Sequence, residues 1–475
     1  MPLVNHERPG RSVPRMPERQ LGSLLRPRNV RRAVPFAAAL VVTVAAASAA
    51  TVGGARLVGA SGLLLVVLAT AAWALVVTDA RIEQRPGLVA LAVGIAIAIG
   101  LAVPPRDSHD LWSYVMYGRM VAAHHVSPYT HTPSDFRLDP FFGRVGVGWR
   151  HATSVYGPLF TGMSAALVRA AGTSALRARL AFQGLAAISV VVALVLIWKS
   201  THSARAVAFV GLHPAVIMAV ANGGHNDALV GLAVLAGALL ASQQRWYGAG
   251  FVVGLGILVK ASGAFGLIGL AAWSVSRDRR GALRLVGTAG VTTAIGYAPF
   301  GTAAARAAAH AGNGNSRASM WDPVSSVLHP STAAMTAVVL LLAIVAAWRW
   351  RATSRPDTAA VAANAAFLVG GVYVLPWYPA WALPAAALHP RSRLSALVAA
   401  HAAFVVAVYE FERPAHPILS GFWGGLRTTI VQACAWSALG AFVVLLVVQR
   451  ARARNAPATP TPIPTAAPPS PRSCC

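Results

Sequence analysis

"LAFQGLAAISVVVALVLI", residues 180–197, runs for eighteen residues without a charge. As an α-helix it is about 27 Å long, close to the ~30 Å hydrocarbon core of a bilayer. Runs of fifteen or more uncharged residues recur at 34–55, 57–78, 88–103, 206–221, 285–300, 331–348, 358–376 and 428–448. The chain is 56% apolar and only 11% charged, against about 25% charged in an ordinary soluble domain. Repetition on this scale implies an all-α polytopic membrane protein of about 12–14 transmembrane helices.

The formal charge of +26 arises from 40 Lys and Arg against 14 Asp and Glu. The arginines cluster between apolar runs, with eight in 1–32, four in "SRDRRGALR" (276–284), three in "RWRATSR" (349–355) and three in "RARAR" (450–454). That placement suits cytoplasmic connectors facing anionic lipid and excludes a nucleic-acid partner. Both termini are accordingly expected in the cytoplasm of a multi-pass plasma-membrane protein. A basic disordered head is expected over 1–32, a transmembrane domain over 33–454 and a proline-rich disordered tail over 455–475. Arg31-Arg32 and "AAASAA" (45–50) outline a twin-arginine leader, but the apolar run between is span-length and more spans follow, so a first anchor is expected. The three cysteines, Cys434, Cys474 and Cys475, form neither a disulfide framework nor a zinc site.

With the head inside, span 88–103 delivers the long connection 104–155 to the outer face. Lys199 to Arg205 reads as an inner loop, which puts residue 227 outside if 156–171 is re-entrant or interfacial. Arg169, Arg177 and Arg179 oppose that parity. The outer face then gathers 104–155, 222–227, 301–330 and "PWYPAW" (376–381), with Lys260 nearby.

Four of the fourteen acids lie in 104–155: Asp107, Asp110, Asp135 and Asp139. Asp107 and Asp110 follow a span directly, where a carboxylate can serve as a general base or cap the amphipathic helix expected over 111–123. That helix, bearing Tyr114 and Arg119, is expected to lie along the interface. His124, His125, His131 and His151 lack thiolates and metal-ligand spacing, so no metal site is assigned. "TSVYGPLF" (153–160) brings Tyr156 to a helix start. "NGGHNDALVG" (222–231) sets His225, Asn226 and Asp227 between apolar runs, where ionisable groups mark functional sites or simply cap a helix. Lys260, one of two lysines in the chain, suits a phosphate partner or snorkels. "LPWYPAWALP" (375–384) reads as a broken helix offering Trp377, Tyr378 and Trp381 for stacking on sugar or as an aromatic belt.

"DLWSYVMYGR", "SVYGPLF", "HPAVIMAVANGGHNDAL" and "VLPWYPAWALP", in this order over most of 107–384, resemble the GT-C superfamily of membrane glycosyltransferases. The pattern is most similar to the polyprenol-phosphomannose-dependent alpha-1,6-mannosyltransferases of actinobacteria, with "HP" at 213–214 where that family usually has "NP". The resemblance implies transfer of a sugar, most often mannose, from a polyprenyl-phosphate donor to a lipoglycan or other envelope glycan on the outer face. It implies inversion with Asp110 as base, or Asp107 in another register. Arg119 and Lys260 are then expected at the donor phosphate. Tyr114, Tyr156, His225, Asn226, Asp227, Trp377, Tyr378 and Trp381 are expected on sugar or acceptor. No cofactor is expected, and a divalent-metal requirement is left open.

A transporter or flippase of lipid-linked sugars is the alternative from another class, although no paired halves are evident. A scaffold of an envelope-assembly complex is a third reading. An arabinose or glucose donor would leave the same motifs in place.

Overall fold

The computed structural model describes residues 27–53, 60–106, 108–310, 316, 318–353, 355–411 and 420–455. Asp107 lies outside the described residues, as do 1–26 of the expected head and 456–475 of the expected tail. Every regular element among the described residues is helical.

The first helices are α1 (Pro27–Gly53), α2 (Ala60–Thr78) and α3 (Pro86–Ala102). α1 begins within the segment expected as the head, at Pro27. α4 (Asp110–Ala122) and α5 (Pro158–Ala171) pack on each other. α6 (Ala175–Thr201) leads into α7 (Ala204–Gly211). A tight hairpin series follows: α8 (Asp227–Ser242), α9 (Trp246–Val259), α10 (Gly263–Val275) and α11 (Arg279–Tyr297). The chain closes with α12 (Thr332–Trp350), α13 (Pro356–Gly370), α14 (Arg393–Phe411) and α15 (Ser420–Asn455).

This is a polytopic all-α membrane protein, as its apolar runs require. Among the described residues six helices, α1, α2, α6, α12, α14 and α15, are long and apolar enough to cross a bilayer, and a bent pair makes a seventh. α3 and α8 to α10 are apolar but shorter, 13 to 17 residues, because Gly, Pro and polar breaks cut the runs into pieces that pack on neighbours.

The bent pair is α7 and a π-helical turn (Ala215–Ala221), with 51° between them. Pro214 supplies no N–H and disfavours helix at the residue before it. The buried His213 fills the gap: its Nδ1 accepts from the Ala215 N–H at 3.2 Å, and its Nε2 lies 3.1 Å from the Ala399 carbonyl. Beyond the break, Asn222 N–H bonds Ile217 O at 3.1 Å and His225 N–H bonds Val220 O at 3.2 Å, both five residues back. Such π turns, common at functional sites, rotate the following side chains out of α register. Gly224, at φ +67°, then turns the chain sharply enough to start α8, in a conformation an L side chain resists.

The connectors sort to two ends. Glu83 meets Ser203 and Ala204, Trp273 meets Thr353, Ser276 meets Arg351, and His389 meets Asp357, which defines one end. At the other end Gly157 N–H bonds Val259 O at 2.9 Å and Gln183 Nε2 bonds Asn222 O at 2.6 Å. α5 therefore starts and finishes at one end and does not cross as a separate span. Arg169, Arg177 and Arg179 belong to that end, which also holds Asp110, Asp227 and Lys260.

α4 is covered by its own loop and neighbour. Nine of its thirteen residues are buried, enclosed by α5 and the 139–152 loop. Gly118 lets α4 approach Ser164 of α5 at backbone distance.

Candidate active site

Three connections deliver the polar residues of the site. The π turn and Gly224 place 225–227 at the start of α8. α9 ends at Lys260, whose extended backbone (φ −157°, ψ 132°) turns the chain into α10. "PWYPAW" forms a 3-10 turn (Tyr378–Trp381) laid across α8. Gly231 makes that crossing possible, since a Cβ there would stand 1.9 Å from the Ala380 carbonyl oxygen. Gly231→Ala is expected to cost about 2 kcal/mol or more as an overpacked contact, read as a lower unfolding midpoint of the detergent-purified protein.

Asp227 is fully buried, and its Oδ1 accepts from Lys260 Nζ at 2.8 Å and Trp381 Nε1 at 2.6 Å. Lys260 Nζ also lies 4.3 Å from the Tyr378 ring centroid and 5.3 Å from that of Trp381. Two stacked aromatic faces and one carboxylate thus hold an ammonium, an arrangement favourable to the cation. Its side chain retains 13% exposure.

Asp110 opens α4, and its Oδ1 accepts from Trp149 Nε1 at 2.8 Å. Its Oδ2 lies 3.9 Å from His225 Nδ1. Burial raises the Asp110 pKa above the ordinary carboxylate value, while the Trp149 hydrogen bond and the Lys260 charge pull the other way. His225 stacks on Trp377 with ring centroids 3.7 Å apart and 11° between planes. The same Nδ1 is 3.2 Å from the Tyr114 hydroxyl. Tyr156 packs edge-on against Tyr114 at 4.8 Å.

Four buried polar atoms on three consecutive residues have no protein partner: His225 Nε2, both amide atoms of Asn226, and Asp227 Oδ2. A buried polar group without a partner is costly, so a run of them marks a place built for another molecule's donors and acceptors. Asn226 makes no capping hydrogen bond to α8, and Asp110 Oδ1 takes Trp149 while Oδ2 faces His225. The capping alternative therefore accounts for neither residue.

Asp110, Tyr114, Tyr156, His225, Asn226, Asp227, Lys260, Trp377, Tyr378 and Trp381 thus come together. Arg119 does not. It lies nine residues along α4 from Asp110, roughly 13 Å of helix, and its Nε bonds both Asp139 oxygens at 2.8 and 2.9 Å. Burial works against the Asp139 charge, but the Phe141 N–H, His124 and Arg119 together hold its pKa below the usual value. Arg119 is thus paired within that loop, apart from the Asp227–Lys260 pair. Trp381 also differs from expectation: 1% exposed, it donates to Asp227 and stacks on Tyr378, leaving no open face for a sugar. Among the described residues no group of three or more His, Cys, Asp or Glu is placed to hold a metal.

Sequence reading missed Trp149, Asn222, Gln183 and the Arg106–Glu410 pair. Asn222 Oδ1 accepts the Arg106 N–H at 2.8 Å and its Nδ2 donates to Gly100 O at 2.9 Å, which fixes the chain leading to Asp110. Gln183 ties the same strand of chain to Asn222, and the buried Arg106 side chain pairs with Glu410 at the end of α14. A lone amide within the uncharged run 180–197 was the available sign for Gln183; nothing local distinguishes Trp149 among thirteen tryptophans.

A family model described as alpha-(1->6)-mannopyranosyltransferase, N-terminal domain, matches residues 22–276, more than half of the chain. That segment holds Asp110, His225, Asn226, Asp227 and Lys260. Alpha-(1->6)-mannopyranosyltransferase A of Corynebacterium glutamicum is 27% identical over 168 residues, 34% of this chain and 34% of that protein. The matched region thus spans about a third of the relative's length. No solved structure matches.

Proposed function

Because this chain belongs to the alpha-(1->6)-mannopyranosyltransferase family, we propose that it transfers mannose from a polyprenyl-phosphate donor to a hydroxyl of a cell-envelope lipoglycan or related glycan. The observation that carries the reading is the convergence of a buried carboxylate, a caged ammonium and four unpartnered polar atoms at one end of a membrane bundle. A hydroxyl-rich ligand bearing one anion answers all of these groups.

The reaction is an inverting single displacement of the GT-C type. Asp110 Oδ2 takes the proton of the acceptor hydroxyl, whose oxygen forms the new bond to the anomeric carbon. The carbon–oxygen bond to the phosphate breaks on the opposite face, and the leaving polyprenyl phosphate carries away the electron pair. Lys260, held but not consumed by Asp227, offers its remaining N–H groups to that phosphate. His225 and Asn226 present donors and acceptors to sugar hydroxyls, and fixing both substrates in line supplies much of the rate. No cofactor enters these steps.

The site end is assigned to the extracytoplasmic face. The connectors gathered at the opposite end carry Lys199, Arg245, Arg277, Arg280, Arg351 and Arg391, as the positive-inside rule asks of a cytoplasmic face. That orientation leaves both termini inside.

The test is transfer of radiolabelled mannose from polyprenyl-phosphate mannose to a mannan-type acceptor by the full-length protein in liposomes. Label is expected in the acceptor with inverted anomeric configuration. Transfer only from arabinosyl or glucosyl donors would move the assignment to another sugar, and none from any lipid-linked donor would remove the enzyme reading.

A further inference from the structure

At the end of the bundle opposite the site, a cavity of about 380 Å³ opens between the 80–84 connector, the start of α7 and the 388–392 turn before α14. Glu83, Ser203, Arg205, His389, Arg391 and Ser392 supply its polar lining. We propose that this cavity binds the phosphate of an anionic glycerophospholipid headgroup.

The charges of the wall are already balanced, except one. Glu83 accepts from the Ser203 hydroxyl and the Ala204 N–H, both at 2.8 Å, and lies 3.6 Å from Arg205 Nε. The buried Arg205 guanidinium donates to the Val77 and Asp79 carbonyls. His389 Nε2 leans on Asp357 Oδ2 at 3.2 Å, whose other oxygen takes Arg355. Arg391 is exposed and has no carboxylate partner among the described residues. The surplus is thus a single guanidinium at the mouth of the cavity, geometry suited to two phosphate oxygens.

The surroundings favour a lipid over a free anion. Leu388 and Pro390 form part of the lining. Leu75 on α2 and Leu88 and Leu91 on α3, flanking the 80–84 connector, are 64%, 39% and 59% exposed. A cavity with one uncompensated guanidinium and apolar lining, on a connector between helices that bear exposed leucines, fits a molecule with a phosphate and acyl chains. Basic pockets between transmembrane helices on the cytoplasmic side are recurrent headgroup sites. The inference rests on this end of the bundle alone and is independent of the chemistry assigned to the other.

The experiment titrates full-length protein in detergent with phosphatidylglycerol, phosphatidylcholine or inorganic phosphate, following the unfolding midpoint. Phosphatidylglycerol is expected to raise the midpoint, with apparent affinity falling about fivefold in Arg391→Gln, the loss of one arginine near a lipid phosphate. Arg393→Gln, which removes an exposed neighbour outside the lining, is expected to leave that affinity unchanged. Arg391→Lys should retain most of the response, and the lipid-free midpoints of all three variants should match wild type. Equal responses to the two lipids, or equal losses in Arg391→Gln and Arg393→Gln, would overturn the site in favour of general surface charge. An Arg391-dependent response to inorganic phosphate alone would overturn the lipid and leave a soluble phosphate.

Discussion

Asp110→Asn is expected to lower kcat/KM for mannosyl transfer by about a thousandfold, within the range general bases contribute. Asn keeps an oxygen for the Trp149 indole, so the unfolding midpoint should stay near wild type while transfer is lost. The pH profile makes the assignment specific. Asp110 acts as the carboxylate, and burial raises its pKa, so activity should fall as pH drops through a limb lying above the ordinary carboxylate range. Trp149→Phe removes a hydrogen bond that lowers that pKa, and its acid limb should move to still higher pH. An Asp110→Asn enzyme with full activity would place the base elsewhere, with Asp107 next to be tested.

Lys260→Met is expected to destabilise the protein by about 3 kcal/mol or more, since removing one partner leaves Asp227 as an uncompensated buried charge. Transfer should be lost as well, and the two effects can be separated. In Asp227→Asn/Lys260→Met the buried charge is gone and Trp381 retains an acceptor, so most of the stability should return. The double variant should nevertheless remain inactive, because no ammonium is left for the departing phosphate. Recovery of transfer along with stability would reduce Lys260 to a structural role; thermal unfolding and the mannose-transfer assay on the same preparations decide between these results.

The sequence by itself determined the class and the neighbourhood of the site. Uncharged runs such as 180–197 leave the backbone no partner but itself in a bilayer, so they must be helical. Carboxylates, a histidine and a lone lysine beside such runs are too costly to place without a reason, which made Asp110, His225, Asp227 and Lys260 legible one by one. The tertiary structure decided the pairings. Asp227 meets Lys260 33 residues on and Trp381 154 residues on, through a crossing that depends on Gly231. Arg119 was drawn to Asp139 because a partly buried guanidinium pairs with the nearest carboxylate, and one helical turn of periodicity does not say which that is. Composition and spacing report the cost of burying each group, and only the fold shows which group offsets that cost.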